Sequence, residues 1–130
     1  MLNGMRFLCA EDNELNAEIL ETLLQDRGIQ YVRAENGKEA LDLFAARPEG
    51  SFDAILMDIM MPEMDGYEAT RRIRSMKDRS DGEKIPIIAM TANAFAEDMQ
   101  ASLAAGMNAH LTKPIEIDSL MRTISNQLKK

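Results

Sequence analysis

The stretch that decides the fold reads Ala54-Ile55-Leu56-Met57-Asp58-Ile59-Met60-Met61-Pro62-Glu63-Met64-Asp65-Gly66. It begins with an apolar run of strand length, continues with a single carboxylate at Asp58, and ends in a turn-rich loop that holds a proline and a glycine. A continuous apolar run without polar alternation is typical of a strand buried on both faces of a parallel sheet. Asp58 is therefore expected where a central strand leaves the core, at the sheet edge where α/β proteins bind their ligands.

Length and composition indicate one globular domain. We expect a single domain over residues 1–130, in which residues 1–4 form a short N-terminal extension or linker remnant. The net charge of −7 argues against nucleic acid as a direct partner, because a phosphate backbone attracts a basic surface. The single cysteine, Cys9, fits a reducing compartment, and no apolar run reaches the roughly 20 residues that span a bilayer. These features predict a cytoplasmic location without direct membrane contact.

Strand-like and helix-like segments alternate along the whole chain. Five short apolar runs are each followed by a segment with helical periodicity. Five such units predict a doubly wound, flavodoxin-like α/β fold: a five-stranded parallel sheet in the order 2-1-3-4-5, covered by five helices. Residues 75–84 lack a period and are expected to form mostly an exposed loop.

The expected helices have recognisable ends and faces. Asn13 and Asp65 are predicted N-caps, and Gly28 and Gly106 are predicted C-terminal stops. The positions that mark the five helical faces are Leu15, Ile19 and Leu23, with Leu20 and Leu24 beside them; Ala40, Leu41 and Phe44; Ala69, Ile73 and Met76; Phe95, Met99 and Leu103; and Leu120, Ile124 and Leu128. Arg71, Arg72 and Arg74 are expected on the outside of the third helix.

The strand ends carry the chemistry. Glu11 and Asp12 follow the first strand, Asp58 ends the third, Thr91 ends the fourth, and Lys113 follows the fifth. Three converging carboxylates repel one another unless a cation neutralises them, and Mg²⁺ prefers such oxygen ligands. A hydroxyl and an ammonium at the same edge can hold phosphoryl oxygens, and a carboxylate can become an aspartyl phosphate. The pattern therefore predicts Mg²⁺-dependent phosphorylation of an aspartate.

Four strings in this order resemble the response-regulator receiver domain, and in particular the receiver domains of hybrid sensor histidine kinases. The resemblance covers the chain from Met5 to about Leu128. The strings are Ala10-Glu11-Asp12-Asn13, Met57 through Ala69, Ile87-Ile88-Ala89-Met90-Thr91-Ala92-Asn93-Ala94, and Ala105 through Ile115.

This resemblance implies a role for each residue of the metal site. Asp58 becomes the phospho-acceptor, and Glu11 and Asp12 become the acidic pair that holds Mg²⁺, with Mn²⁺ as a possible substitute. Asp12, Asp58 and the backbone carbonyl of Met60 are the direct ligands that the family pattern implies, while Glu11 acts mostly through bound water.

The resemblance also implies a switch. Thr91 is the switch hydroxyl, Lys113 binds a phosphoryl oxygen, and Pro114 is expected to follow a cis peptide bond. Where the family usually has Tyr or Phe, three residues before the lysine, this chain has His110, so the details of the switch are expected to differ. Phosphorylation is expected to move the fourth helix and fifth strand, around Phe95 and His110.

The function so implied is that of a phosphorylation-controlled module in a two-component phosphorelay, which catalyses only its own phosphotransfer and slow dephosphorylation and is not otherwise an enzyme. Its expected partner is a histidine kinase or a histidine-containing phosphotransfer domain. The predicted docking residues are Leu15, Asn16, Ile19, Met61 and Pro114. Since the sequence stops after the last predicted helix, we expect a stand-alone regulator or, more in keeping with the resemblance, a hybrid-kinase domain, which would lie in the cytoplasm as part of a membrane-anchored kinase.

Two other functions are compatible with parts of the pattern. A Mg²⁺-dependent phosphatase can form an aspartyl phosphate on a similar sheet, but such enzymes typically carry a second acid two residues after the nucleophile, where this chain has Met60. A domain that only binds partners is disfavoured because all five site residues are present.

Overall fold

The computed structural model describes residues 4–77, 79–92 and 96–128. Its five strands form one parallel sheet in the order β2-β1-β3-β4-β5, as the sequence predicts. The strands are β1 (Arg6–Ala10), β2 (Gln30–Ala34), β3 (Ala54–Asp58), β4 (Ile87–Thr91) and β5 (Ala109–Thr112). The helices are α1 (Glu14–Gln25), α2 (Gly37–Ala46), α3 (Gly66–Arg74), α4 (Asp81–Lys84), α5 (Ala96–Ala105) and α6 (Ile117–Leu128).

The central strand β3 is buried on both faces. Ile55 and Met57 belong to the core layer that includes Phe44 of α2. Ala54 and Leu56 point to the opposite layer, which contains residues of α1 and α6. Because successive strand residues alternate between faces, two apolar layers require the unbroken apolar run that the sequence contains.

The predicted helix ends are confirmed. Asn13 accepts a hydrogen bond from the amide of Asn16 at 2.9 Å, and Asp65 accepts one from the amide of Glu68 at 2.9 Å, so both cap helices. Gly28, with φ of 75°, follows the end of α1, and Gly106, with φ of 108°, follows α5. In this left-handed region glycine is the least strained residue.

Two predicted helical faces require correction. On α1 the predicted Leu20 and Leu24 are buried together with Ala17, whereas Leu15 is 65% and Ile19 50% exposed. On α5 Ser102 and Ala105 are buried, while Met99 and Leu103 are exposed. In each case apolar residues cover a wide arc of the helix, so periodicity alone does not say which side of the arc faces the sheet.

The segment predicted as an exposed loop contains a sixth helix, α4, which the prediction of five helices missed. The Arg79 guanidinium lies 4.3 Å from the centre of the Phe44 ring and donates to the carbonyls of Phe44 and Arg47 at 2.7 and 2.9 Å. Its Nε also lies 2.6 Å from Oδ1 of Asp81, the first residue of α4. The contacts of one arginine thus attach a segment of polar composition to the end of α2.

Arg74 is also not on the solvated face where we expected it. Its guanidinium donates to the carbonyls of Gly106, Gly82 and Ile85 at 2.9, 3.0 and 2.7 Å, and to Oδ1 of Asn108 at 2.7 Å. Burial lowers the pKa of Arg74 from its ordinary value. Arg71 and Arg72 are exposed as predicted and pair with Glu68.

We expect Arg74→Met to lower the free energy of unfolding by about 2 kcal/mol, because it leaves several part-buried carbonyls without their charged donor. Arg72→Met, which removes the same charge from the exposed face of the same helix, should lower it by about 0.5 kcal/mol or less. Urea unfolding monitored by circular dichroism measures both. Equal losses in the two variants would contradict the structural role of Arg74.

Some sequence-based expectations lie outside the described residues. These are the parts assigned to Asn93, Ala94 and Phe95, residues 1–3 of the predicted N-terminal extension, and the side chain of Leu128. Among the helices of residues 4–77, 79–92 and 96–128, none combines the length and apolar character needed to cross a bilayer.

Candidate functional site

The strand ends meet at one edge of the sheet because the strands are in register. Ala10 of β1 lies opposite Met57 of β3, and Asp58 lies opposite Met90 of β4. The amide of Lys113 donates to the carbonyl of Thr91 at 2.8 Å, which holds the segment after β5 against the end of β4. The structure therefore brings Glu11, Asp12, Asp58, Thr91 and Lys113 to the same edge, as the sequence predicts.

Three carboxylates form the centre of this site. Glu11, Asp12 and Asp58 each offer an oxygen atom, and these three atoms lie within 4.8 Å of one another. Glu11 is 2% and Asp58 5% exposed, whereas Asp12 is exposed. A cluster of hard oxygen donors with one face open to solvent fits a divalent cation such as Mg²⁺, which binds carboxylates and retains several waters.

Lys113 contacts two members of the cluster. Its Nζ lies 2.8 Å from Oε1 of Glu11 and 3.0 Å from Oδ2 of Asp58, and its side chain is 21% exposed. The peptide bond between Lys113 and Pro114 is cis, as the resemblance implies. The ammonium thus neutralises part of the charge of the two buried carboxylates.

The electrostatics of Asp58 reflect its position at the end of a buried strand. Burial raises the pKa of Asp58 from 3.8 to about 6. The hydrogen bond from Lys113 opposes this rise in pKa, while the charge of Glu11 adds to it. Burial lowers the pKa of Lys113, but the hydrogen bonds to Glu11 and Asp58 outweigh it, so that pKa is raised.

A pKa raised on folding makes the metal-free protein less stable as pH increases. Between pH 3.8 and about 6 the unfolded state has released the Asp58 proton and the folded state still holds it. The free energy of unfolding therefore falls across this range, and the full loss is present above about pH 6. We expect Asp58→Asn, measured in EDTA, to raise the free energy of unfolding by about 2 kcal/mol at neutral pH and to have little effect near pH 4.

Urea unfolding at a series of pH values tests this expectation. Asp42→Asn, at an exposed position on α2, is the matched control and should produce no comparable pH-dependent difference. A stability difference for Asp58→Asn that is the same at every pH would contradict the expectation, since only the ionised carboxyl carries the penalty.

The loop after Asp58 is held close to the strand end by glycine. The amide of Gly66, the first residue of α3, donates to the carbonyl of Ile59 at 2.9 Å. A Cβ atom at Gly66 would lie 2.3 Å from the carbonyl oxygen of Asp58, so no other residue fits this contact without a shift. Met60 is 78% exposed at the mouth of the site, and Glu63 adopts a positive φ of 69°.

The predicted switch residues lie on neighbouring strands. Thr91 is buried at the end of β4. His110 lies on β5 opposite Ala89 and is half-buried. It lines a cleft of about 210 Å³ together with Met99 and Leu103 of α5. The structure places both residues but does not test the predicted movement of α5 and β5, which stays a prediction.

Four of the five predicted docking residues are exposed, and three of them line one cleft beside the site. Leu15, Asn16 and Ile19 are exposed on α1, and Pro114 is exposed after β5. A small cleft of about 70 Å³ is lined by Asn16, Ile19 and Pro114 among others. Met61 is half-buried in the loop after β3 and is not among the residues that line this cleft.

Sequence reasoning missed Arg33. This residue of β2 donates two hydrogen bonds to the carbonyl of Glu11, at 3.2 and 3.1 Å, and one to the carbonyl of Asp12 at 3.4 Å. A single arginine within a short strand has no sequence signature of such a contact. Its register opposite Cys9, one residue before the end of both strands, shows why it reaches the acidic loop.

Comparison with known families agrees with this site. Residues 7–125 match the family model described as the response regulator receiver domain. The chain therefore belongs to the receiver domain family. Receiver domains are the phosphorylation-controlled modules of two-component phosphorelays, and this chain is such a module.

Individual relatives support the same assignment. The chain is 39% identical over 119 residues to the sensor histidine kinase GacS of Pseudomonas protegens, and the match covers 92% of this chain but only 13% of GacS. The receiver domain of the sensor histidine kinase PA1611 from Pseudomonas aeruginosa, solved with magnesium coordinated in its active-site cleft, is 38% identical with a TM-score of 0.84, covering 98% of this chain and 99% of that chain.

A third relative was solved together with a partner. The receiver domain of the Saccharomyces cerevisiae response regulator Ssk1, in complex with the histidine phosphotransfer protein Ypd1, is 30% identical with a TM-score of 0.83. The similarity covers 98% of this chain and 90% of that chain.

Proposed function

We propose that this receiver domain accepts a phosphoryl group on Asp58 from a phosphohistidine of a partner protein. The observation that carries the proposal is the placement of Asp58: a buried carboxylate within 3.0 Å of the Lys113 ammonium and grouped with Glu11 and Asp12 within 4.8 Å. A nucleophile so placed is confined by a cation on one side and an acidic metal site on the other.

In the proposed reaction an oxygen of the Asp58 carboxylate attacks the phosphorus of phosphohistidine. The new P–O bond forms as the P–N bond breaks, and the imidazole nitrogen leaves with the bonding electron pair and takes a proton from solvent. Lys113 then has a phosphoryl oxygen as a partner in place of the carboxylate oxygen, and the hydroxyl of Thr91 is the proposed second donor. Such transfer depends on positioning and charge neutralisation more than on a general base.

We further propose that Mg²⁺ is bound by Asp12, Asp58 and the main-chain carbonyl of Met60, with Glu11 acting through water and Mn²⁺ as a substitute. When bound, the ion supplies charge neutralisation for the transferring phosphoryl oxygens. The chain's own contribution is the acidic cluster, which remains electrostatically costly without a cation. Magnesium in the cleft of the PA1611 receiver domain supports this proposal.

The proposed partner is a histidine-containing phosphotransfer domain or the histidine-bearing helices of a kinase. Leu15 and Ile19 on α1 are apolar and exposed, and they lie on the helix that follows the acidic loop. Together with Asn16, Met61 and Pro114 they are the proposed docking surface. The complex of the Ssk1 receiver domain with Ypd1 supports a partner of this kind.

The proposal also covers the domain and its setting. We propose one receiver domain over residues 1–130, with residues 1–4 as an extension or linker, that acts in the cytoplasm and has no catalytic activity beyond its own phosphorylation and dephosphorylation. The match spans only 13% of the length of GacS. What we say about activity and partners is therefore a proposal, both for this domain and for any larger protein that contains it.

The test is intact-mass measurement after incubation with acetyl phosphate and Mg²⁺. We expect the wild-type chain to gain one phosphoryl group, and we expect no gain in EDTA or with Asp58→Asn. Asp65→Asn, which changes a cap of α3 that lies outside the acidic cluster, is the control and should still be phosphorylated. A phosphoryl group on Asp58→Asn would contradict the assigned acceptor. Failure of acetyl phosphate and of a phosphorylated histidine phosphotransfer domain alike would contradict the function.

A further inference from the structure

We infer that Arg33 is a positioning residue for the metal-binding loop, an inference that rests on the proposed Mg²⁺ site. Arg33 donates its three hydrogen bonds to two consecutive main-chain carbonyls, those of Glu11 and Asp12, at 3.1 to 3.4 Å. These two residues supply two of the three carboxylates of the cluster. The guanidinium therefore holds the backbone from which the proposed ligands project.

Asp12 depends most on this backbone contact. Its carboxylate is exposed, and within residues 4–77, 79–92 and 96–128 it accepts no hydrogen bond that would orient it. Glu11, by contrast, is held through its side chain by Lys113 at 2.8 Å and by the amide of Asn13 at 3.2 Å. The direction of the Asp12 side chain is thus set by the main chain, and the main chain at this point is held by Arg33.

The Glu11 backbone has a second restraint that completes the arrangement. Its amide donates to the carbonyl of Ala34 at 3.0 Å, which extends the ladder between β1 and β2 by one residue. Beyond the end of that ladder the Arg33 side chain restrains the backbone, because it donates hydrogen bonds to the carbonyls of Glu11 and Asp12. A planar guanidinium can engage two acceptors in a fixed geometry, which the single ammonium of lysine cannot reproduce.

Arg33 differs from Lys113 in which atoms it contacts. Lys113 contacts carboxylate oxygens of Glu11 and Asp58, which a metal ion also needs. Among the described residues Arg33 donates side-chain hydrogen bonds only to main-chain carbonyls, so it leaves the carboxylate oxygens available. Its positive charge nevertheless repels an incoming cation, so charge and geometry act on Mg²⁺ affinity in opposite directions. Arg33→Lys separates them, because it keeps the charge and loses the geometry.

The matched control is Arg6→Lys. Arg6 lies on β1, at the opposite end of the same pair of strands, and donates to Oε1 of Gln30 at 3.0 Å and to the carbonyl of Ser51 at 3.4 Å. It therefore also bonds a main-chain carbonyl, but far from the acidic cluster. The substitution makes the same chemical change in a residue that does not touch the site.

Mg²⁺ binding by calorimetry is the primary measurement. We expect Arg33→Lys to raise the dissociation constant for Mg²⁺ about tenfold, the lower end of the effect of losing an outer-shell partner of a metal ligand. Arg6→Lys should leave the constant within about twofold of wild type. The same stoichiometry in all three proteins, with a weaker constant only for Arg33→Lys, supports positioning. If Arg33 had a merely structural role, Arg33→Lys would lower the fraction of protein that binds Mg²⁺ and leave the dissociation constant unchanged. That result would overturn the inference.

Phosphorylation kinetics with acetyl phosphate supply an independent readout. The Mg²⁺ concentration for half-maximal rate should rise for Arg33→Lys, while the rate at saturating Mg²⁺ should stay close to wild type. A fall in the saturating rate with no change in the half-maximal concentration would overturn the inference. Failure of the proposed function is distinguishable from this, because in that case the wild-type chain gains no phosphoryl group from either donor, while calorimetry still measures the effect of Arg33→Lys on Mg²⁺ binding. A wild-type chain that binds no Mg²⁺ in the calorimeter would overturn the inference.

Discussion

Lys113→Met should slow phosphorylation by acetyl phosphate about a hundredfold or more at saturating Mg²⁺, the effect of removing one preorganised electrostatic contact from a transferring group. The reason is the position of the ammonium, 3.0 Å from Oδ2 of Asp58, where negative charge accumulates as the phosphoryl group arrives. The rate is measured by intact mass over time. The control is Lys38→Met, an exposed lysine on α2 that pairs with Asp42.

The same substitution should affect the metal-free protein and Mg²⁺ binding in opposite directions. Without the ammonium, the buried Glu11 and Asp58 carboxylates lose their shared cation, and the free energy of unfolding in EDTA should fall by about 2 kcal/mol. Mg²⁺ should then bind more tightly, because the ammonium no longer competes for the same oxygens. A wild-type phosphorylation rate, or weaker Mg²⁺ binding, would contradict the role we assign to Lys113.

Gly66→Ala should have the largest effect on stability, a loss of about 3 kcal/mol or more. The added Cβ would lie 2.3 Å from the carbonyl oxygen of Asp58 and 3.0 Å from Cα of Ile59. Both are main-chain atoms, so relief requires a shift of the end of β3 or of the start of α3. Because that shift moves the Asp58 backbone, phosphorylation should fall together with stability.

Gly50→Ala is the matched control for Gly66→Ala. Gly50 has a positive φ of 85° but no heavy atom within 4 Å of the position of an added Cβ, so it measures backbone strain without a clash. Its expected loss of free energy of unfolding is about 1 kcal/mol. Urea unfolding gives both values. If Gly66→Ala lost no more free energy of unfolding than Gly50→Ala, the result would contradict the proposed clash.

The sequence was most informative where one strong local signal indicates position. Asp58, Thr91 and Lys113 each end or follow an apolar run, and strand ends in a parallel sheet share one edge. Caps such as Asn13 and Asp65 were equally clear, because a short polar side chain before a helical period satisfies free amides of the first turn. The sheet order followed from the number and spacing of the βα units.

The sequence was least informative where the outcome depends on packing between distant segments. The four residues of α4 are too few for a helix to be stable by local propensity, and the neighbouring Arg79 attaches this segment to α2. Likewise, α1 has leucine or isoleucine at Leu15, Ile19 and Leu20, so only the approach of the sheet decides that Leu20 is buried and the other two are exposed.

The amino-acid sequence alone thus determined the class of fold and predicted the five polar groups that the strands bring to one edge of the sheet. Tertiary structure alone decided which groups the arginines bind: Arg74 joins α3 to α4 and to the loop between α5 and β5, and Arg33 donates to the carbonyls of the acidic loop. The physical reason is the range of the interactions. Apolar periodicity and capping act over a few neighbouring residues, whereas a long arginine side chain meets its acceptors only after the chain has brought distant carbonyls within reach.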